Sequence, residues 1–172
     1  MSHITLITGG ARSGKSRLAE RLALSRGAPL GYLATGESRD AEMGARIVRH
    51  RERRGPEWTT IEEPLRLAET LLDIDGRFRA VLVDCVTLWL SNLLLGSEEP
   101  GRLLDKVQRL ADTAQTLTTP LILVTNEVGM GIVPENRLAR IFRDLAGEAN
   151  ELLAAAADEV HLAVSGIPLR LK

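Results

Sequence analysis

The stretch that decides the fold of this chain is Gly9-Gly10-Ala11-Arg12-Ser13-Gly14-Lys15-Ser16. It matches the P-loop pattern G-x-x-x-x-G-K-S/T at every fixed position, between an apolar run, Ile4–Thr8, and a helix-forming run, Arg17–Arg26. Glycines let backbone N–H groups turn toward a phosphate above the positive end of the helix dipole. The pattern predicts that Lys15 reaches the β- and γ-phosphates of a nucleoside triphosphate and that the Ser16 hydroxyl binds Mg²⁺.

The composition is that of an ordinary globular protein. The 172 residues are 44% hydrophobic and 26% charged, which predicts one domain over residues 1–172 with a substantial core. A net charge of −1 and an aromatic content of 3% disfavour a nucleic-acid partner. Cys85 is the only cysteine, which excludes an internal disulfide and indicates a reducing compartment. With no signal-peptide pattern and no apolar run long enough for a bilayer, the sequence predicts a cytoplasmic protein without a membrane span.

Strand-like and helix-like runs alternate along the chain. The runs that predict strands cover residues 4–8, 30–35, 58–61, 80–84, 121–125, 159–164 and 169–172. The runs that predict helices cover residues 17–26, 41–54, 64–74, 86–95, 103–117 and 135–157. Continuous apolar strands separated by helices are typical of parallel sheets covered on both faces. The sequence therefore predicts an α/β fold of the P-loop NTPase type, with a mostly parallel sheet in three α/β/α layers.

A P-loop requires a partner carboxylate at the end of another buried strand, and Asp84 is the best candidate. It directly follows the apolar run Ala80–Val83, so its carboxylate is predicted to hold Mg²⁺ directly or through water. The alternative is an ordinary Asp at a strand end that caps the helix beginning at Val86.

The segment 41–54 carries an unusual basic cluster. On a helix, Arg46, Arg49, His50 and Arg53 lie on one face, at spacings i, i+3, i+4 and i+7. Cationic neighbours disfavour protonation of the imidazole, so His50 is a candidate nucleophile toward phosphorus, with the arginines stabilising charge on the transferred group. The alternative is a solvated basic face. For the other histidines, His3 and His161, structural roles are favoured.

Two further strand ends carry polar groups. Glu62 and Glu63 follow the run 58–61, where a carboxylate could accept hydrogen bonds from a ribose or a guanine, or simply form a surface pair before a proline. Asn126 and Glu127 follow the strand run 121–125 at the edge of the sheet where ligands bind in such folds. The glycine-rich loop after them is either mobile or a tight connection.

Four motifs together resemble one enzyme family. They are the P-loop itself, Arg46-Ile47-x-x-His50, Trp58-x-Thr60-x-Glu62 and Thr125-Asn126-Glu127-Val128-Gly129-Met130-Gly131-Ile132-Val133-Pro134-Glu135-Asn136-Arg137. In this order they resemble the bifunctional adenosylcobinamide kinase / adenosylcobinamide-phosphate guanylyltransferase of cobalamin biosynthesis. The resemblance extends from residue 4 to about residue 167, and the last motif is far more specific than the P-loop.

The resemblance implies two reactions at one triphosphate site. A nucleoside triphosphate, ATP or GTP, phosphorylates adenosylcobinamide; GTP then guanylylates a histidine, and GMP passes to adenosylcobinamide phosphate. The family's guanylylated histidine corresponds to His50, and the family is expected to be a homotrimer. The nucleotide contacts that the resemblance implies are Gly9, Gly10, Ala11, Arg12, Ser13, Gly14, Lys15, Ser16, Ala34, Thr35, Gly36, Arg51, Glu52, Arg53, Arg54, Glu62 and Asp84.

Two other functional classes compete with this interpretation. A GTP-dependent switch reads guanine through Asn-Lys-x-Asp and the γ-phosphate through Asp-x-x-Gly, but here Glu127 follows Asn126 and Cys-Val-Thr follows Asp84. A P-loop kinase of a small metabolite, without the transferase step, is the closer rival. It leaves the basic cluster around His50 without a role.

Overall fold

The computed structural model describes residues 3–36, 54–96 and 99–172. The strands are β1 (Ile4–Gly9), β2 (Leu30–Ala34), β3 (Trp58–Glu62), β4 (Ala80–Asp84), β5 (Leu121–Val124), β6 (Glu159–Val164) and β7 (Ile167–Arg170). The helices are α1 (Lys15–Leu24), α2 (Leu67–Asp73), α3 (Val86–Leu95), α4 (Pro100–Thr116) and α5 (Arg137–Ala156). The predicted helix over 41–54 lies outside the described residues except for Arg54.

The strands form one seven-stranded sheet in the order β3-β2-β4-β5-β1-β6-β7. Every pairing is parallel except that of β6 with β7, which form an antiparallel hairpin. β5 lies between the P-loop strand β1 and β4, the strand that ends in Asp84. The carboxyl ends of these three strands therefore meet at one edge of the sheet, which is where ligands bind in open α/β sheets.

Side chains alternate between the two faces of the sheet and form two separate cores. Val81, Val83, Leu121 and Leu123 pack in the core that includes residues of α2, α3, α4 and α5. Their neighbours Ala80, Leu82, Ile122 and Val124 pack in a second core with Leu18, Ala19 and Ala23 of α1. Strands buried on both faces are apolar along their length, as β5 and residues 80–83 of β4 are. The predicted three-layer α/β fold is confirmed.

Several element boundaries differ from the prediction for local reasons. The sequence predicts a loop at 98–101, whereas Pro100 and Gly101 belong to α4, because the fixed φ of proline suits the first position of a helix. The helix predicted from Pro64 begins only at Leu67, since the carbonyls of Pro64 and Leu65 accept hydrogen bonds from Asn92 and Trp89 of α3.

The last strand and the last helix also begin at residues other than those predicted, because of the turns that precede them. The chain reverses at Ser165 and Gly166, whose φ angles of 53° and 83° are those of a two-residue type I′ hairpin. β7 therefore begins at Ile167, two residues before the predicted start. α5 begins at Arg137 because the Asn136 side chain accepts the Ala139 N–H at 3.1 Å and caps it. Within the described parts of the chain, no helix has the length and apolarity needed to cross a membrane.

Candidate active site

The P-loop joins β1 to α1 through backbone conformations that require glycine. Gly14, directly before α1, has φ 91°, a left-handed value that disfavours any residue with a Cβ. A Cβ on Gly14 would lie 2.9 Å from Gly166 Cα, and one on Gly9 would lie 2.6 Å from the Ala163 carbonyl oxygen. Both glycines are therefore fixed by sterics, and the pattern found in the sequence corresponds to a loop at a helix N-terminus.

The β6–β7 hairpin supports this loop from outside. The Gly166 N–H donates to the Ser13 carbonyl at 2.8 Å, so the hairpin turn holds the middle of the P-loop. Sequence reasoning placed a turn at Ser165 and Gly166 but assigned it no role, because residues about 150 positions apart give no local signal of contact. The Ser13 hydroxyl is buried and has no hydrogen-bond partner among the described residues. A buried, unpaired hydroxyl in this loop leaves a donor available for a phosphate.

Lys15 begins α1 and turns back across the loop. Its Nζ donates to the Gly10 carbonyl at 3.0 Å. Burial lowers the pKa of Lys15, while electrostatic attraction to Cys85 and Asp84 works in the opposite direction. Burial also raises the pKa of the Cys85 thiol to about 12, so the thiol is neutral at physiological pH and Asp84 is the effective partner. The Asp84 charge thus favours the protonated form of the lysine that is predicted to act with it.

Asp84 ends β4 and is held by a tyrosine from the neighbouring strand. The Tyr32 hydroxyl donates to Asp84 Oδ2 at 2.9 Å. Burial, together with the adjacent Asp84 charge, raises the pKa of Tyr32, so the phenol stays protonated and remains a donor. The Arg54 guanidinium stacks 3.5 Å above the centre of the Tyr32 ring. Arg54 Nε and Nη1 are buried and have no hydrogen-bond partner among the described residues. The sequence analysis missed Tyr32, which is an ordinary aromatic position within a buried strand.

Hydrogen bonds join the residues that follow β2 to the start of α3. The Thr35 hydroxyl donates to the Cys85 carbonyl and accepts the Cys85 N–H, both at 2.8 Å. Asn92 of α3 donates to the Thr35 carbonyl at 2.8 Å. Ala34, Thr35 and Gly36, which were predicted to contact the nucleotide, therefore lie beside Asp84 at the same edge as the P-loop. These contacts fix the backbone there.

The end of β5 is clamped by one side chain of α5. Asn150 accepts the Thr125 hydroxyl at Oδ1 (2.7 Å), and its Nδ2 donates to the Asn126 carbonyl and to Glu127 Oε1, both at 3.2 Å. The Thr8 hydroxyl, one residue before the P-loop, donates to the same Glu127 oxygen at 2.6 Å. Asn150 and Thr8 were not predicted, because nothing in a helical or strand pattern marks a side chain that reaches another element.

Glu62 and Glu63 lie farther along the same edge. β3 is four strands from β1, roughly 19 Å at the usual spacing between strands. Glu63 fixes the chain just before α2, because its Oε1 accepts the N–H groups of Leu65 (2.9 Å) and Arg66 (2.7 Å). Burial opposes ionisation of Glu63, but these hydrogen bonds outweigh it and lower its pKa. Glu63 thus has a structural role at the start of α2, whereas Glu62 is exposed at the end of β3.

The basic cluster of the sequence analysis lies outside the described residues, apart from Arg54. This applies to Arg46, Arg49, His50, Arg51, Glu52 and Arg53. The other two histidines are described: His3 lies 3.8 Å from Asp158, at the amino end of β1, and His161 Nε2 lies 3.2 Å from a Glu159 oxygen. Neither contacts the P-loop.

A magnesium site at the P-loop edge fits the donors present. Ser16 is the second residue of α1, and Asp84 Oδ1 is not occupied by the tyrosine that binds Oδ2. Hydroxyl and carboxylate oxygens are the ligands that Mg²⁺ prefers, usually completed by phosphates and water. Across residues 3–36, 54–96 and 99–172 there is no cluster of three or more His, Cys, Asp or Glu side chains placed to bind a metal.

Comparison with known proteins places the chain in one family over almost its whole length. Residues 5–171 match the model of the family described as cobinamide kinase / cobinamide phosphate guanyltransferase. The bifunctional adenosylcobalamin biosynthesis protein CobP of Pseudomonas aeruginosa is 48% identical over 97% of this chain and 96% of its own. The bifunctional adenosylcobalamin biosynthesis protein CobU of Salmonella typhimurium is 48% identical, and that of Escherichia coli 46%, each over 97% of this chain and 98% of its own. The chain belongs to the cobinamide kinase / cobinamide phosphate guanyltransferase family.

Proposed function

We propose that this chain phosphorylates adenosylcobinamide with a nucleoside triphosphate and then transfers GMP from GTP to the product through a covalent guanylyl-histidine at His50. The observation that carries the proposal is a complete P-loop at the start of α1, with Lys15 Nζ donating to the Gly10 carbonyl and Asp84 at the same edge of the sheet. The chain also matches bifunctional relatives over nearly its full length. The product of the two reactions is adenosyl-GDP-cobinamide.

In the kinase step the P-loop presents the γ-phosphorus to the acceptor hydroxyl. Lys15 and the loop N–H groups stabilise the charge on the phosphate oxygens as the bond to the leaving nucleoside diphosphate breaks. Ser16 and Asp84 would hold Mg²⁺, which neutralises charge on the triphosphate when bound. Tyr32 keeps Asp84 oriented through its hydroxyl.

In the transferase step the same loop holds the part of GTP that leaves. A His50 nitrogen attacks the α-phosphorus, a P–N bond forms, and pyrophosphate departs with the electron pair of the broken P–O bond. A phosphate oxygen of adenosylcobinamide phosphate then attacks the guanylyl phosphorus, and the P–N bond breaks. Two in-line displacements thus replace one difficult nucleotidyl transfer.

Among the three histidines, His50 is proposed as the nucleophile because the other two contact carboxylates elsewhere. His3 contacts Asp158 and Glu159, and His161 contacts Glu159. Both carboxylates lie at or just before the start of β6, away from the P-loop. Arg54, four residues after His50, stacks on Tyr32 beside Asp84. This contact supports the proposal that His50 acts at the triphosphate site. The family resemblance extends the proposed nucleotide site to Arg51, Glu52, Arg53 and Glu62.

Labelling with GTP tests the covalent step directly. The unsubstituted protein incubated with GTP carrying ³²P at the α-phosphorus should acquire label in an acid-labile, base-stable bond, as expected for a phosphoramidate. His50→Ala should lose the label, while the matched variant His161→Ala should keep it. Label that persists in His50→Ala would contradict the assignment. A protein that phosphorylates cobinamide but never acquires label would be the simpler kinase.

Assembly and location complete the proposal. We expect a homotrimer in the cytoplasm. The edge strand β7 supports assembly, because its Ile167 and Leu169 are 69% and 56% exposed and would gain from burial against another copy. Light scattering coupled to size-exclusion chromatography measures the mass of the assembly, and a monomer at micromolar concentration would contradict the expected trimer.

A further inference from the structure

Glu127 is the carboxylate that the sheet places directly beside the P-loop strand. It follows β5, which pairs with β1, and its N–H donates to the Gly9 carbonyl at 3.1 Å. The Thr125 N–H donates to the Ile7 carbonyl at 2.9 Å, so the strand register continues up to the first P-loop residue. Glu127 is thus attached by its backbone to the start of the loop that binds the triphosphate.

The Glu127 side chain is held through one of its two oxygens. Oε1 accepts the Thr8 hydroxyl at 2.6 Å and Asn150 Nδ2 at 3.2 Å. Oε2 makes no hydrogen bond to any residue that the structure describes, and the side chain is only partly buried. A carboxylate fixed by one oxygen and open at the other is suited to accept a hydrogen bond from a substrate.

The other carboxylates of this sheet edge, among the described residues, have different partners or positions. Asp84 accepts the Tyr32 hydroxyl and lies within electrostatic reach of Lys15, as expected of a group that acts on the metal. Glu63 Oε1 accepts the N–H groups of Leu65 and Arg66, and its Oε2 accepts the Thr70 hydroxyl, so both oxygens are used within the segment at the start of α2. Glu62 ends the outermost strand, four strands from β1. Glu127 combines proximity to the loop with an oxygen left open, and unlike Asp84 it is not assigned to the metal.

We propose that Glu127 accepts the proton of the acceptor hydroxyl in the kinase step. The hydroxyl oxygen of cobinamide forms its bond to the γ-phosphorus while its proton passes to Glu127 Oε2. The bond between the γ-phosphorus and the bridging oxygen breaks, and the nucleoside diphosphate leaves with that electron pair. This inference rests on the proposed function, since it requires the γ-phosphate to lie on the P-loop.

Thr8 and Asn150 are positioning residues in this arrangement. Each donates to Oε1, which fixes the carboxylate relative to the P-loop and leaves Oε2 without a hydrogen bond among the described residues. Asn150 also fixes the backbone of the same segment through the Asn126 carbonyl. The base is therefore held by two elements that both support the nucleotide site, β1 and α5.

The two half-reactions supply an internal control for the test. Guanylylation of His50 uses the same triphosphate site but no acceptor hydroxyl, so a residue that acts only on that hydroxyl should not affect it. Glu127→Gln keeps the size of the side chain and removes its basic oxygen. We expect its kcat for phosphorylation of cobinamide to fall by about 100-fold or more, the usual contribution of a general base. Labelling by α-³²P GTP should stay within about twofold of the unsubstituted protein, which also reports that the variant folds.

Two further variants sharpen the measurement. Glu127→Asp retains a carboxylate on a shorter side chain, and its kcat should lie between those of Glu127→Gln and the unsubstituted protein. Glu151→Gln makes the same chemical change at the exposed residue next to Asn150 and should leave both reactions unchanged.

Three outcomes would overturn the inference. Glu127→Gln with full kinase activity would show that no proton transfer depends on this carboxylate. Equal loss of phosphorylation and of guanylylation would show that Glu127 shapes the shared nucleotide site. Failure of the unsubstituted protein to phosphorylate cobinamide at all would contradict the proposed function, and this inference with it.

Discussion

The two edges of the sheet both carry polar clusters, and they differ in what is left unpaired. At the amino edge, before β4 and β5, Asp75 uses both carboxylate oxygens to accept the N–H groups of Thr118 and Thr119 at 2.9–3.1 Å. At the carboxyl edge, the described residues leave the Ser13 hydroxyl, two Arg54 nitrogens and Glu127 Oε2 without partners. The Asp75 carboxylate at the amino edge is fully paired, whereas several polar groups at the carboxyl edge have no partner among the described residues.

This difference separates a structural role from a functional one. Buried polar groups in folded proteins are nearly always hydrogen-bonded, so unpaired groups at one edge call for a ligand. The carboxyl edge also carries Lys15, whose pKa is lowered by burial, an effect that an anionic ligand would oppose. We therefore expect substitutions at the carboxyl edge to change activity more than stability, and those at the amino edge to do the reverse.

The largest effect should come from Lys15→Ala. Removing the ammonium group takes away charge stabilisation at the β- and γ-phosphates, and we expect both phosphorylation of cobinamide and labelling of His50 to fall by at least about 100-fold. Steady-state kinase kinetics and ³²P labelling measure the two losses. Arg21→Ala, on the exposed side of α1, is the matched control. Full guanylylation in the lysine variant would mean that the two reactions use separate triphosphate sites.

Asn150→Ala should have the next largest effect. It removes three hydrogen bonds that hold Thr125, Asn126 and Glu127, and we expect kcat for phosphorylation to fall by about tenfold. The KM for the nucleotide should change less than kcat, because the P-loop is intact. Initial rates at varied nucleotide and cobinamide concentrations separate the two parameters. A change confined to unfolding temperature, with normal kcat, would reduce Asn150 to a packing residue.

Tyr32→Phe should have a smaller effect on the same edge. The ring that stacks on Arg54 remains, but the hydrogen bond to Asp84 is lost, at a cost of about 1 kcal/mol or about fivefold in kcat. If Asp84 acts through Mg²⁺, a titration of kinase rate against magnesium concentration should also shift. An unchanged rate and an unchanged titration would show that Asp84 does not depend on the tyrosine for its orientation.

Asp75→Ala tests the amino edge of the sheet and should leave activity unchanged. The loss of the contacts to Thr118 and Thr119 should lower the free energy of unfolding by about 1 kcal/mol at pH 7. Burial opposes ionisation of Asp75, but these hydrogen bonds outweigh it and lower its pKa to about 2. A depressed pKa stabilises the fold above the unfolded-state value, about 3.9, and this contribution is lost as pH falls toward 2.

Urea unfolding of both proteins at pH 7 and near pH 3 measures this prediction. The difference in unfolding free energy should shrink at the lower pH, because protonation removes the same interaction in the unsubstituted protein. A difference that stays constant with pH, or a loss of kinase activity in Asp75→Ala, would contradict the division between the two edges.

Much of the fold was predictable because its signals are local. β4, α3 and β6 have the predicted bounds, since continuous apolar runs are closed by Asp84, by Gly96 and by the Ser165–Gly166 turn. The beginnings of α2 and α4 were wrong by about three residues. Those ends depend on partners from another helix or on the backbone preference of one proline.

The motif of the candidate site was predictable from the sequence, but the residues that hold it in place were not. Gly9–Ser16 and Asp84 are recognisable because a phosphate-binding loop needs its residue types at fixed spacing. Tyr32, Asn150 and Gly166 belong to ordinary strand, helix and turn patterns, and their roles come only from contacts across 52, 23 to 25 and 153 positions of the chain.

The sequence by itself determined the α/β class, the P-loop motif and the family, because each depends on residue types at short, fixed spacing. The tertiary structure decided which groups surround that loop. It inserted β5 between β1 and β4, so that Glu127 lies beside the P-loop, and it brought Asn150 of α5 and the β6–β7 turn to hold that edge. The physical reason is that strand order is set by packing helices on both faces of the sheet, and no spacing within a single segment records it.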